Sequence, residues 1–167
     1  LVLTTVNAIT QRVVPKAMVQ AASFKASPGQ RVSGENLQAF LVDNGYSRTG
    51  TVVDPGDFAV RGGLIDIFPP GADLPVRLDF FGDTLESIRA FDAATQRTTG
   101  QRKVFELGAM SEVSLTPETI SRFRSRYIQN FGAARRDDAL YAAVSEGRRF
   151  AGMEHWLPLF YDKLETF

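Results

Sequence analysis

The sequence predicts an α+β fold: an antiparallel β meander packed with helices, flanked by a partial α/β segment and a mainly helical segment. Short apolar stretches with turn residues between them run from position 46 to 91, which is typical of consecutive antiparallel strands. Helical periodicity returns from Thr116 onward. The chain has 167 residues, of which 44% are hydrophobic, so it can bury a core.

The first 25 residues are interpreted as the trailing part of an α/β domain. Leu1 to Thr5 form a short apolar and β-branched run that predicts a buried strand. The following "VNAITQRVVP" predicts a helix that Pro15 ends or kinks. The opening "LVLTTVNAIT" lacks the charged n-region of a signal peptide and is expected to come from the middle of a longer chain.

One helix is predicted before the strands, after the turn-rich "ASPGQRVSG". Ser33 is a candidate N-cap, Glu35 lies in the first turn, and Gly45 is the expected stop. Leu37 and its neighbours Phe40 and Leu41 would form the buried side of this helix.

The strands are expected in "YSRTGTVV", "FAVR", "LIDIF", "VRLDFF" and "TLESIRAF", joined by turns such as "DPGD" and Gly62–Gly63. "DAATQRTTGQRK" is predicted to be a polar connection, and "VFELG" a short strand. Two further helices are predicted, one beginning at Thr116–Pro117 and one in "DDALYAAVSEG" ending at Gly147.

The composition excludes several classes of function. The 19 basic and 19 acidic side chains balance, and the pI near 6.8 gives no electrostatic signal for general nucleic-acid or membrane binding. The chain contains no cysteine, which excludes disulfides and thiolate metal sites and fits a cytoplasmic location. No apolar run approaches the roughly 20 residues that cross a bilayer.

Catalytic and metal sites find little support in the sequence. "VRGGLID" lacks the Gly-Lys pair of a phosphate loop, so its glycines are interpreted as a tight turn. The strand acids are expected to be solvated or paired with arginine, and no nucleophile or base accompanies them: Asp66, Asp79, Asp83, Glu86 and Asp92. His155 has no second histidine one helical turn away and is expected to be packed among aromatic residues.

Arginines on the predicted strands are the remaining candidates. Period-two alternation puts Arg61 opposite Phe58 and Val60, and it puts Arg77 and Asp79 on one face of their strand. With Arg48, three arginines and an acid could project from one side of a sheet. This pattern fits a solvated face with weak salt bridges and a protein interface anchored by arginine equally well.

The long string "GYSRTGTVVDPGDFAVRGGLIDIFPPG…PVRLDFFGDTLESIRAFDAATQR" resembles the excision-repair protein UvrB and, more closely, the UvrB-like module of bacterial transcription-repair coupling factors (the Mfd family). "VSEGRRFAGMEHWLPLFY" and "TTVNAITQRVVP" are similar to the flanking parts of that module. The resemblance implies three divisions: residues 1–25 from domain 1A, 26–115 as the domain 2 that binds UvrA, and 116–167 from domain 1B.

The resemblance also implies function. It predicts a protein-interaction module that recruits UvrA to lesion-stalled RNA polymerase in transcription-coupled nucleotide excision repair. Matching the family's docking motifs assigns UvrA binding to Arg48, Arg61, Arg77, Asp79 and Phe80. UvrB has a further arginine where Ala59 stands here, which removes one ionic contact. The damage-probing hairpin of UvrB has no visible counterpart.

No catalytic residue, metal or cofactor is expected in this chain. ATP and magnesium, RNA polymerase and DNA are expected to be bound by other parts of the full-length translocase, and no membrane is expected. The alternative hypothesis is a DNA-binding module that contacts the duplex through the arginine-rich "SRFRSRY" helix. An ATPase is disfavoured because a Walker lysine is missing.

Overall fold

The structure is a computed structural model that describes residues 3–135 and 137–166. The chain divides into two compact units. One, here called the sheet unit, consists of residues 22–110. The other, here called the helical unit, combines residues from 1–21 with residues from 111–167.

Helices and strands are numbered along the chain. The helices are α1 (Val6–Ile9), α2 (Lys16–Ala21), α3 (Gly34–Asp43), α4 (Pro117–Phe131), α5 (Ala139–Ser145) and α6 (Leu157–Phe160), with a 3-10 helix at Met153–Trp156. The strands are β1 (Phe24–Ala26), β2 (Ser47–Arg48), β3 (Asp57–Arg61), β4 (Leu64–Ile67), β5 (Val76–Phe81), β6 (Thr84–Phe91), β7 (Thr98–Arg102) and β8 (Phe105–Leu107).

Six strands form the main sheet in the order β2-β3-β4-β5-β6-β7. The neighbours are antiparallel except β2 and β3, which are parallel. The predicted α+β class with an antiparallel meander is therefore confirmed. A separate two-stranded sheet pairs β1 with β8.

The prediction of a polar connection across residues 92–103 was wrong in its second half. Residues Thr98–Arg102 form β7, which pairs with β6 although all five of its residues are exposed. Because an edge strand is held by backbone hydrogen bonds, it needs no apolar pattern, and its polar sequence resembles that of a loop.

The helix α3 covers one face of the main sheet. Ser33 caps it by accepting a hydrogen bond from the Asn36 backbone N–H, and Gly45 follows it with a φ of +93°, as predicted. Leu37 and Leu41 are buried against apolar side chains from β3 to β6, including Phe58. This helix-side core anchors the sheet and leaves the other face of β3 to β6 to carry polar groups.

In the helical unit, α4 begins at the predicted residues. Thr116 accepts a hydrogen bond from the Thr119 backbone N–H, and Pro117 follows at the first helical position. Phe123 is fully buried and stacks on Phe160 with ring centroids 4.8 Å apart. The second predicted helix is α5, capped by Asp138.

Three predictions in the helical unit were wrong. Residues 3–5 form no strand and are exposed, while positions 1 and 2 of the predicted strand lie outside the described residues. The first helix ends at Ile9, well before Pro15, which instead directly precedes α2. The 3-10 helix turns Met153 inward and leaves His155 exposed. In each of the three cases the structure of the segment depends on contacts with distant residues, which the local sequence pattern does not specify.

Within the described part of the chain, no helix combines the length and the apolar character that crossing a membrane requires.

Candidate protein-docking surface

The face of the main sheet opposite α3 carries a cluster of five charged residues, here called the arginine face: Arg61, Asp66, Arg77, Asp79 and Arg89. Strand alternation places them there, because Phe58 and Val60 on β3 contact the helix-side core while Ala59 lies in a small cluster on the opposite face. The same alternation on β4 and β5 turns Asp66 and Arg77 to that opposite face. The period-two prediction for β3 and β5 is confirmed at these positions.

The centre of the arginine face is a buried ion pair. Asp66 and Arg77 are direct cross-strand partners, and Asp66 is only 2% exposed. Arg77 donates from Nε to Oδ1 at 2.7 Å and from Nη2 to Oδ2 at 2.8 Å. Its guanidinium also lies over the Phe91 ring, 4.8 Å from the centroid. The hydrogen bond with Asp66 raises the pKa of Arg77, so the guanidinium stays charged.

Arg61 lies beside this pair at the end of β3. Its Nη2 is 3.6 Å from Asp66 Oδ2, too long for a hydrogen bond but close enough for an ionic contact. The side chain is 48% exposed, compared with 17% for Arg77. Gly62 then turns the chain with a φ of +58°, and β4 begins at Leu64. The glycine pair is thus the predicted turn, and it holds Arg61 at the exposed corner of a hairpin.

A second ion pair occupies the neighbouring strands. Arg89 on β6 donates from Nη2 to Asp79 Oδ2 on β5 at 2.9 Å. Both side chains are about one third exposed, so water screens this pair more than the buried one.

The arginine face therefore has three guanidinium groups and two carboxylates. Asp66 is occupied by the bidentate bond from Arg77, and Asp79 is paired with Arg89. Within the described residues, Arg61 has no ionic contact other than the long one to Asp66. Arg61 is the most exposed guanidinium on this face, and within the described residues its N–H donors form no hydrogen bond, so they can serve solvent or a partner.

The structure brings together only part of the predicted set. Arg61, Arg77 and Asp79 share the arginine face. Arg48 pairs in register with Phe58, so it belongs to the helix side of the sheet, where it is exposed on the edge strand. Phe80 packs against the helix-side core. The expected projection of all three arginines from one side is thus not what the structure shows.

The surroundings of Ala59 show why this chain has no arginine at the position where UvrB has one. It is 1% exposed and lies in a cluster with Val52, Phe68 and Phe91. An arginine at this position would have to displace that cluster, because a guanidinium has no room in a closed apolar contact. Ala59 therefore belongs to the core of this chain.

Two residues near the arginine face were missed, and the burial of a third was not predicted. Asp66 was expected to be solvated or paired with arginine; it is paired with Arg77, and it is also buried. Arg89 was not singled out, although it lies opposite Arg77 in register. Phe81, next to the β5–β6 turn, is 77% exposed, unusual for so large an apolar side chain. The cross-strand register would have identified the Asp66–Arg77 pair, because it places "LID" beside "VRL". That register is known only from the structure.

Two of the three arginines of α4 are engaged within the helical unit. Arg122 donates to the Phe160 carbonyl oxygen at 2.9 Å, and Arg126 donates to the Tyr161 carbonyl oxygen at 2.6 Å. Both also form ion pairs with Asp162. Arg124 is exposed, so one arginine of this helix is left for the DNA-binding hypothesis.

The described residues contain no group of three or more histidine, aspartate or glutamate side chains arranged to hold a metal ion. A sheet that presents an exposed arginine beside a buried ion pair fits a protein-interaction domain, because arginine is enriched at protein interfaces. Comparison with known proteins agrees with that class. The sequence profile of the family described as the UvrB interaction domain matches residues 24–112, and the chain belongs to this family.

Relatives in three bacteria carry the description "Transcription-repair-coupling factor". The chain is 38% identical over 162 residues to the protein of Rickettsia bellii (strain RML369-C), covering 97% of the chain and 14% of the relative. It is 37% identical over 158 residues to that of Escherichia coli (strain K12), covering 95% and 14%. For Myxococcus xanthus the identity is 41% over 162 residues, covering 94% and 13%. The chain thus spans a small part of the length of these relatives.

Proposed function

We propose that this chain is a non-catalytic docking module that recruits UvrA to lesion-stalled RNA polymerase in transcription-coupled nucleotide excision repair. Two findings support the proposal: membership of the UvrB interaction domain family, and similarity to transcription-repair-coupling factors over nearly the whole chain. We place it in the bacterial cytoplasm, with ATP hydrolysis and contacts to DNA and RNA polymerase assigned to other parts of the full-length protein.

The structural observation that supports this proposal most directly is the exposed, weakly paired state of Arg61. It is exposed at a hairpin corner, it is held beside a buried carboxylate, and its ionic contact is long. A guanidinium in this state can form a bidentate pair with a carboxylate of another protein. Because its position is already restricted, less side-chain entropy is lost when the partner binds.

The other residues assigned to UvrA binding have two kinds of role in this proposal: some support the arginine face, and others extend the surface. Arg77 and Asp79 support the arginine face through their ion pairs with Asp66 and Arg89. Arg48 extends the surface at the edge strand β2, and Phe80 packs beneath the hairpin end of the sheet. Exposed Phe81 adds apolar area, since aromatic residues and arginine dominate interface energetics.

The experiment is a calorimetric titration of purified UvrA with the chain and with Arg61→Ala. We expect this substitution to weaken binding about tenfold or more, which corresponds to about 1.4 kcal/mol or more. Arg102→Ala is the matched control, because Arg102 is exposed on β7 of the same sheet and its register places it on the helix side. The control should bind like the unaltered chain. Equal affinities for the two variants would contradict the assignment of Arg61.

A further inference from the structure

One buried carboxylate lies between two guanidinium groups on the arginine face. Asp66 accepts the two short bonds from Arg77, and its Oδ2 also faces Arg61 at 3.6 Å. The side chain of Asp66 is 3% exposed, whereas the side chains of Arg77 and Arg61 are 17% and 48% exposed. Asp66 is therefore a buried, hydrogen-bonded charge that acts on a neighbouring side chain that reaches solvent.

The two arginines use this carboxylate differently. Arg77 matches it in the planar, bidentate geometry that gives the strongest pairing between these groups. Arg61 is attracted to the same oxygen but makes no hydrogen bond with it. The attraction restricts Arg61 without forming a hydrogen bond, so its N–H donors remain available to an external acceptor.

We propose that Asp66 is the positioning residue of the docking surface, holding Arg61 in place for a carboxylate supplied by an aspartate or glutamate of the partner protein. This inference rests on the proposed function. In it, Arg77 fixes the Asp66 carboxylate through its two hydrogen bonds.

The charge balance of the arginine face indicates an anionic partner group. Three guanidinium groups face two carboxylates, and a third carboxylate opposite Arg61 would complete the pairing. A protein carboxylate is favoured over a nucleic-acid phosphate because the chain as a whole has no net charge to attract a polyanion. Arg122 and Arg126 of α4 are also engaged with carbonyl oxygens and Asp162.

The test is a double-mutant cycle in the 167-residue chain, with affinity for purified UvrA measured by calorimetry. Asp66→Asn keeps the shape of the side chain and removes its charge. We expect about a threefold to tenfold loss of affinity from Asp66→Asn alone, because Arg61 would then be less ordered. In the Arg61→Ala background, the same substitution should change the affinity by less than about twofold.

A purely structural role for Asp66 would give a different result. Its substitution would then lower the affinity by the same factor with or without Arg61, and additive losses would overturn the positioning role. Absence of UvrA binding by the unaltered chain would instead overturn the proposed function itself. The two failures are thus distinguishable.

A second variant guards against misfolding, because Asp66→Asn leaves Arg77 with a weakened partner. The double substitution Asp66→Asn with Arg77→Met removes both buried charges together and leaves none unpaired. It should fold, as judged by cooperative thermal unfolding, and lose at least as much affinity for UvrA as Asp66→Asn. Full affinity in this variant would contradict the inference, since Arg61 would have lost its anchor without consequence.

The chemistry of the partner group is tested by charge reversal. If a carboxylate faces Arg61, Arg61→Glu places two negative charges together and should bind UvrA at least about threefold more weakly than Arg61→Ala. Equal affinities of the glutamate and alanine variants would overturn the assignment of a partner carboxylate. The possibility that Arg61 binds a nucleic-acid phosphate is tested by titration with duplex DNA. Tight DNA binding that depends on Arg61 would also overturn the assignment of a partner carboxylate.

Discussion

Asp66 and Arg77 show how burial changes the contribution of a charged residue to stability. An exposed pair contributes little to stability because water screens it and both side chains lose rotational freedom. Asp66 is 2% exposed, so the two hydrogen bonds from Arg77 replace the water that would hydrate an exposed carboxylate. Two arginines on the same sheet are therefore in different states: Arg77 is engaged in the buried pair, and Arg61 is exposed and available for the proposed binding.

This difference predicts unequal effects of alanine substitution on stability. Arg77→Ala leaves a buried carboxylate without its partner and should lower the free energy of unfolding by about 3 kcal/mol or more. Arg48→Ala is the matched control, because Arg48 is exposed and, within the described residues, forms no ion pair; its effect should stay within about 0.5 kcal/mol. Urea unfolding followed by circular dichroism measures both. Similar midpoints for the two variants would show that the buried pair does not stabilise the fold.

The identity of Arg61 and Arg77 as candidates could be predicted from the sequence, because alternation places them opposite the apolar residues of their strands. Their different environments could not. Which acid each arginine meets depends on the register between β4 and β5, and a shift by one residue would move Asp66 to the other face. That register is set by the packing of Ile65 and Leu78 in the helix-side core, which is a property of the whole sheet.

The β3–β4 hairpin depends on the close approach of two backbones. Gly63 lies beside β5, where Phe80 donates its backbone N–H to the Gly63 carbonyl oxygen at 2.8 Å. A Cβ atom added at Gly63 would lie 2.7 Å from the Phe80 carbonyl oxygen, inside the van der Waals limit. Glycine is therefore required there by the neighbouring strand, beyond the turn itself.

Gly63→Ala should accordingly destabilise the sheet unit by about 1–3 kcal/mol, the usual cost of forcing apart well-packed groups. Gly100→Ala on β7 is the matched control, since nothing lies within 4 Å of an added Cβ at Gly100. The control should be neutral or slightly stabilising, because alanine lowers the entropy of the unfolded chain. Thermal unfolding of the two variants tests this expectation, and equal melting temperatures would contradict it.

Helix ends were predicted better than edge strands, for a physical reason. The caps of α3 and α4 are made by side chains within three residues of the helix start, so their signals are local. The pairing of β1 with β8 joins residues about 80 positions apart, such as Phe24 with Leu107, and the short sequence around each strand contains no trace of the other.

The sheet unit has its own core, which supports it as an independently folding piece. The buried residues of the helix-side core all lie between positions 26 and 107, and Tyr46 is tied to the end of the unit by a 2.8 Å hydrogen bond to the Gly108 carbonyl oxygen. Burial also raises the pKa of Tyr46, so its hydroxyl stays protonated and continues to donate this bond in neutral solution.

We therefore expect an excised segment of residues 22–112 to unfold cooperatively and to bind UvrA with the affinity of the whole chain, within about twofold. Removal of residues 1–21 from the whole chain should abolish the cooperative unfolding of the helical unit, because Val14 contributes to its core and Val13 pairs with Glu165. Calorimetric unfolding of both truncated proteins tests this. A segment 22–112 that fails to unfold cooperatively would show that the sheet unit requires the rest of the chain.

The linear chain was enough to predict the α+β class, the capped helices, the glycine hairpin and the arginines that alternate with core residues. Each of these depends on neighbours within a few positions, where propensity and periodicity act directly. The tertiary structure decided which strands pair, that Asp66 is buried with Arg77, and that Arg48 and Arg61 belong to opposite faces. Those outcomes follow from the register of a six-stranded sheet, where a residue's surroundings come from strands distant in sequence.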